Sequence, residues 1–132
     1  MSDAATVETG QMGRIVYARL APHEDLVRGV EKVCLAHGFK NAFVRGALGS
    51  LIDGCLTRQG GAPQHIPGPA VEIVSLAGEV REQVGGALQA RLSGVVANAE
   101  GHVYGGVFVA GLNPICITFE VTLEEWLPIA AV

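Results

Sequence analysis

The sequence predicts an α+β domain with one principal helix and a mainly antiparallel sheet of about seven strands. Three observations support this fold class. Only residues 26–34 show clear helical periodicity, the rest of the chain reads as strand-like runs separated by glycine and proline, and 132 residues suit one domain. We expect a flexible tail over residues 1–12 and a single domain over residues 13–132.

The helix follows a proline-containing entry at Pro22. Its apolar positions recur at helical spacing and are Leu26, Val27, Val30, Val33 and Cys34. We expect Glu24 and Asp25 in the first turn, where negative charge suits the helix dipole. Gly38, directly after His37, is expected to cap the other end.

The predicted strands cover residues 14–20, 42–46, 51–57, 71–77, 88–96, 102–110 and 115–123. Residues 48–50 are predicted to form a tight connection, and residues 59–69, with three glycines and three prolines, a loop. Residues 98–101 and the pair Asn113-Pro114 supply further turns.

The composition excludes a disordered chain, because 49% of residues are hydrophobic and the net charge is only −4. Charged residues make up 17%, which is a sparse polar coat for so small a domain. We therefore expect copies of the chain to cover part of its surface. The negative charge also counts against a nucleic-acid binder, which needs a basic field.

The three cysteines, Cys34, Cys55 and Cys116, are widely spaced and form no CxxC pair, which favours reduced thiols in the cytoplasm. The first ten residues lack the order of a signal peptide. Residues 101–119 carry no Asp, Glu, Lys or Arg, but glycines and Asn113-Pro114 divide them. Two buried strands explain this segment better than a membrane span.

No P-loop, GxGxxG or GxSxG motif occurs, and Ser50 matches a nucleophile elbow only loosely. Neither HxH nor HExxH is present. Of the histidines, His102 is best placed for function because it opens a strand beside a Gly-Gly bend, and His65 lies in the proline-rich loop. Arg45 and Arg91 interrupt apolar strands, where each either points to solvent or binds an anion.

Taken together, these pieces resemble the plant and prokaryote conserved (PPC) domain. The matching blocks are the helix entry at 22–26, the Gly-Ala-Leu-Gly-Ser run at 46–50, the Glu-Ile-Val-Ser-Leu-Ala-Gly run at 72–78, Gly101, Gly105-Gly106 and a last strand carrying Glu120. The resemblance covers residues 14–123. It implies an α+β fold with a helix packed on an antiparallel sheet, and a homotrimer.

Many members of that family carry a histidine trio that could bind a metal. Counting back without gaps from Gly101 puts two of these positions at Arg91 and Ser93, and the third falls at Val107. Arg, Ser and Val should not hold a divalent transition metal. We therefore expect no metal and no cofactor, and a pocket at a subunit boundary in which Arg91 binds a small anion. Ser93 and His102 would add hydrogen bonds, with Arg45 and Tyr104 as further candidates.

Three alternatives remain at this stage. In the first, the site has lost its function and Arg91 only packs. In the second, the chain binds DNA like the plant members of that family, although it has no Arg-Gly-Arg hook and no basic cluster. The third is a structural trimer that recruits a protein partner. Turnover also stays open, and His102 or His65 would then serve as acid or base.

Overall fold

The computed structural model describes residues 4–59 and 61–129. Eight strands and one helix follow in the order β1 (Gly10–Leu20), α1 (Leu26–Ala36), β2 (Ala42–Leu51), β3 (Gly54–Thr57), β4 (Gln64–Ile66), β5 (Val71–Glu82), β6 (Leu88–Ala97), β7 (Val103–Phe108) and β8 (Ile115–Pro128). The strands form one sheet in the order β1-β8-β2-β5-β6-β7-β3-β4, and each neighbouring pair is antiparallel. The α+β prediction is confirmed.

The core lies between α1 and one face of the sheet, because strand residues alternate between the two faces. On β6, Leu92 and Val96 are fully buried, whereas Arg91 and Ser93 are exposed on the opposite face. The helix contributes Leu26, Val30 and Cys34 to the same core and packs mainly against β6. Alternation along β6 therefore places the two predicted site residues away from the core.

Asp25 and Asn113 join the start of the helix to the turn before β8. Asp25 is the N-cap and accepts hydrogen bonds from the backbone N–H groups of Arg28 (3.0 Å) and Asn113 (2.9 Å). Asn113 is fully buried, and its side chain also bonds the N–H and the carbonyl of Cys55 and the carbonyl of Val109. This network fixes the helix relative to β3.

Several predicted boundaries are wrong. Asp25 is the N-cap and Glu24 precedes it, so neither acid lies in the first helical turn. The helix ends as predicted, with His37 as the cap and Gly38 at a φ of +73°. Residues 48–50 form no turn: β2 continues through them, because residues 44–49 pair with β8 despite bulges.

The strands are also longer than predicted at several ends. β5 continues through Gly78 to Glu82, β8 reaches Pro128, and the loop of residues 59–69 contains the short strand β4. Residues 10–12, which the sequence analysis assigned to the tail, belong to β1 and pair with the end of β8. Within the residues described, no helix combines the length and the apolar character needed to cross a bilayer.

The strands β2 and β5 pair only at their ends. Ala42 and Phe43 lie opposite Val80 and Glu79, and Ser50 and Leu51 lie opposite Glu72 and Val71. The register is the same at both ends, so residues 44–49 and 73–78 face each other without registered backbone pairing. We call these residues the unpaired stretch, although each strand stays paired there with its other neighbour, β8 or β6. It lies in the interior of the sheet.

Candidate functional site

The structure brings together the three positions that the resemblance assigned to the family's histidines. Ser93 on β6 lies directly opposite Val107 on β7, and Arg91 is two residues before Ser93 on the same face of β6. Arg91 and Val107 line a cavity of about 730 Å³, and Ser93 and Val107 line a second of about 470 Å³. The three positions obtained by counting without gaps from Gly101 therefore lie close together in the structure.

The two cavities share a wall formed by Thr57, Arg58, Gln59 and Val107. We call the two together the arginine cleft. Its larger part lies beside the first half of β6, where pairing with β7 has ended: the last registered pair is Ser93 with Val107. The N–H of Ala90 in this half is instead bonded by the Glu31 carboxylate of α1, at 2.8 Å. The end of β7 thus leaves room for a ligand.

Arg58 is a site residue that the sequence analysis missed. It directly follows β3 and lines both parts of the arginine cleft. Its guanidinium donates hydrogen bonds to the Gly105 carbonyl on β7 (3.3 Å) and to the Gln64 side chain on β4 (2.8 Å). No local signal marks it, because β3 meets β7 only after some 50 intervening residues have folded.

The arginine cleft is positively charged. Its described lining contains Arg58 and Arg91 and no aspartate or glutamate. Glu79 is the register partner of Arg91 on β5, but its carboxylate bonds Arg81 at 2.5 Å. In the described part of the chain, neither Arg58 nor Arg91 has an ion-pair partner, whereas Arg14, Arg19, Arg45 and Arg81 each pair with glutamate.

The structure does not bring the other predicted site residues to this cleft. Arg45 lies on β2 and pairs with Glu124 at 3.3 Å. Tyr104 is half-buried on β7, opposite Val96, and packs against the core. His102 is exposed in the turn between β6 and β7, and its backbone N–H donates to the Asn98 side-chain oxygen at 2.9 Å.

His65 is exposed on β4, opposite Cys55, and does not line the cleft either. The described lining of the cleft holds no histidine, cysteine or carboxylate. Its polar side chains are arginine, glutamine, serine and threonine, which bind and orient anions through N–H and O–H donors.

Arginine, serine and valine at the three assigned positions do not fit a transition metal, which needs imidazole, thiolate or carboxylate ligands. Across residues 4–59 and 61–129, no group of three or more His, Cys, Asp or Glu side chains is arranged to hold a metal ion. The chemistry that the cleft offers is therefore that of guanidinium donors.

Solved structures with the same fold come from several microorganisms. A metal-containing protein from Archaeoglobus fulgidus matches with a TM-score of 0.82 and 21% identity, over 96% of this chain and 89% of that one. A plant- and prokaryote-conserved protein from Pyrococcus horikoshii matches with a TM-score of 0.74 and 22% identity, over 92% and 85%. A candidate DNA-binding protein from Bacteroides thetaiotaomicron matches with a TM-score of 0.69 and 13% identity, over 88% and 83%.

At these identities the likeness establishes the fold. No curated protein sequence matches the chain. The sequence profile of the Plants and Prokaryotes Conserved (PCC) domain, however, matches residues 7–127, which is nearly the whole chain and agrees with the blocks that carried the resemblance. The chain therefore belongs to the plant and prokaryote conserved domain family.

Proposed function

We propose that this protein binds a small anionic ligand, without a metal, in the arginine cleft. The observation that carries the proposal is that Arg58 and Arg91 line one cavity whose described walls contain no carboxylate. In a chain of net charge −4, most arginines of the described part are neutralised by glutamate, and these two are not. Two arginines without ion-pair partners that line one cavity favour a phosphate or carboxylate.

The test is isothermal titration of the whole protein with inorganic phosphate and with succinate, which separates the two kinds of anion. Arg91→Gln and Arg58→Gln should each weaken binding about tenfold, the equivalent of one charge-assisted hydrogen bond. Arg19→Gln is the matched control, because it removes the same charge from an arginine on β1, outside both the cleft and the unpaired stretch. No binding of either anion, or equal losses in all three variants, would contradict the proposal.

We further propose that the protein works as a homotrimer, and that the unpaired stretch is part of the contact between copies. Leu48 on β2 and Val74 on β5 both lie in this stretch, and these residues are 55% and 61% exposed. Exposed apolar side chains on neighbouring strands favour association with another chain. The low charge content of the sequence supports the same conclusion.

Light scattering after size-exclusion chromatography tests the assembly. The mass should be three times 13.7 kDa, and Leu48→Glu should lower it to that of a single chain. Leu112→Glu is the control, since Leu112 is similarly exposed but lies in the turn before β8. A monomeric wild-type protein would overturn the proposal, as would a Leu48→Glu variant that stays trimeric.

DNA binding is the second candidate, favoured by the structural likeness to the candidate DNA-binding protein from Bacteroides thetaiotaomicron. It fits the charge less well, because the chain is acidic and four of its seven arginines pair with glutamate. A mobility shift with duplex DNA at low salt decides between the candidates, since phosphate contacts are strongest there. A retarded band that Arg91→Gln abolishes would favour DNA.

A structural trimer that recruits a protein partner shares the predicted mass but predicts no anion binding. The titrations with phosphate and succinate therefore separate it from the first proposal. The described lining of the cleft lacks a histidine or carboxylate to act as acid or base, so we propose binding and not turnover.

A further inference from the structure

The smaller part of the arginine cleft has a wall of backbone. Three glycines, Gly94, Gly105 and Gly106, line it together with Ser93 and Val95. At two of these positions, close packing requires a glycine. A Cβ at Gly94 would lie 2.2 Å from the carbonyl oxygen of Ser75, and a Cβ at Gly106 would lie 2.8 Å from that of Thr57.

At Gly105, close packing does not require a glycine. A Cβ there would meet its nearest atoms, the Gly94 oxygen and Val95 Cγ2, at 3.7 and 3.8 Å, which is ordinary contact. Its φ is not among the positive values that favour glycine. Neither packing nor backbone conformation therefore requires a glycine at this position. The absence of a side chain at Gly105 leaves free space in the cleft.

Gly105 is also tied to the cationic group of the cleft, because its carbonyl accepts a hydrogen bond from Arg58. Arg58 lines both parts of the cleft, whereas Arg91 lines only the larger part and Gly105 only the smaller. A ligand whose anionic group lies between the two arginines can thus extend past Arg58 onto the backbone wall. Cavities of about 730 and 470 Å³ each fall in the size range of small-molecule sites.

We infer that the ligand is a phosphate monoester that carries a planar ring, with its phosphate between Arg58 and Arg91 and its ring over Gly105. Flat peptide groups without a side chain accept the face of a ring, and the Ser93 hydroxyl beside them can bond a polar atom at its edge. Gly105 is then the residue that sets the size of the ligand. This inference rests on the proposed anion site, because it adds a ring to the anionic group that the two arginines would bind.

Titration of the whole protein with inorganic phosphate, ribose 5-phosphate and adenosine 5′-monophosphate tests the inference. The nucleotide should bind about tenfold more tightly than the other two, because only it buries a ring. Gly105→Val should remove this preference and leave the affinity for inorganic phosphate within about twofold of wild type.

Ala99→Val is the matched control. Ala99 is exposed in the turn between β6 and β7, so the change adds a branched side chain outside both the cleft and the unpaired stretch. The control should keep the tenfold preference of the wild type. Circular dichroism on both variants verifies that they fold.

Two results would overturn the inference while leaving the anion site intact. One is a wild-type protein that binds phosphate through Arg91 but prefers the nucleotide no more than phosphate. The other is a Gly105→Val variant that keeps the preference. Failure of the anion site itself has a different signature, since inorganic phosphate would then not bind the wild type.

Discussion

Arg14 donates three hydrogen bonds to the buried carboxylate of Glu125, two from its guanidinium at 3.1 and 3.2 Å and one from its backbone N–H at 3.1 Å. The guanidinium also lies over the ring of Phe39, 4.9 Å from its centre. The pair connects β1 to β8 at the end of the sheet that the C-terminus of α1 approaches. It is the most completely bonded ion pair among the residues described.

These hydrogen bonds from Arg14 lower the pKa of Glu125 below its ordinary value. A carboxyl with a lowered folded pKa stabilises the fold above its unfolded pKa, and the contribution is lost as the pH falls through the folded value. We therefore expect the melting temperature to fall as the pH drops below the ordinary glutamate value of 4.5 and then through the lowered pKa of Glu125. Glu125→Gln should lower the melting temperature at neutral pH by about 5 °C and weaken the acid dependence.

Glu82→Gln is the control for this measurement, because Glu82 is exposed and forms no ion pair with the described residues. It should change neither the neutral melting temperature nor its slope with pH. An acid dependence identical in Glu125→Gln and wild type would show that another carboxylate is responsible.

Asn113→Ala should cost about 3 kcal/mol of unfolding free energy, because it leaves the buried N–H of Cys55 without its acceptor and removes one of the hydrogen bonds to each of the carbonyls of Cys55 and Val109. Urea denaturation of wild type and variant measures the difference. Asn98→Ala, in the turn before β7, removes hydrogen bonds that water can replace, and it should cost less than about 1 kcal/mol. Equal costs would contradict the role assigned to Asn113.

Cys34 should resist thiol reagents in the folded protein. Burial, and to a smaller extent the charge of Glu31, raises the pKa of the Cys34 thiol to about 11. Cys55 is buried too, whereas Cys116 is only half-buried. Ellman's reagent at mildly alkaline pH should therefore titrate Cys116 first and all three thiols only in denaturant. Fast native labelling in a Cys116→Ala variant would contradict this order.

Arg91→Lys should recover only part of the anion affinity that Arg91→Gln loses. Lysine keeps the charge but lacks the planar fork that can bond two oxygens at once. We expect an affinity about threefold below wild type, between those of the two proteins, when inorganic phosphate is titrated. Full recovery would show that charge alone matters, and no recovery would show that Arg91 acts through its shape.

Local patterns predicted much of the fold. The apolar spacing from Leu26 to Cys34 identified α1, and Asn98 and Gly101 marked the turn between β6 and β7. The family blocks led to Arg91 and Ser93, which lie on one face of β6. These features depend on residues close in sequence, where periodicity and turn chemistry are informative.

The rest depends on contacts between distant segments. Arg58 reaches the cleft because β3 pairs with β7, and Arg45 is neutralised because β2 pairs with β8. The Leu48-Gly-Ser50 run resembles a turn in sequence, but pairing with β8 keeps it extended. Side-chain partners across a sheet follow from register, which one sequence does not specify on its own.

The incomplete pairing of β2 with β5 divides the sheet into a part of three strands and a part of five. Two short ladders, one at each end of these strands, join the two parts. A sheet normally exposes unsatisfied backbone only at its outermost strands, and natural proteins protect those edges against aggregation. Here the interruption in pairing lies instead at the centre of an eight-stranded sheet. Because fewer registered pairs join its two sides, we expect the sheet to separate at this seam before the longer ladders on either side of it open.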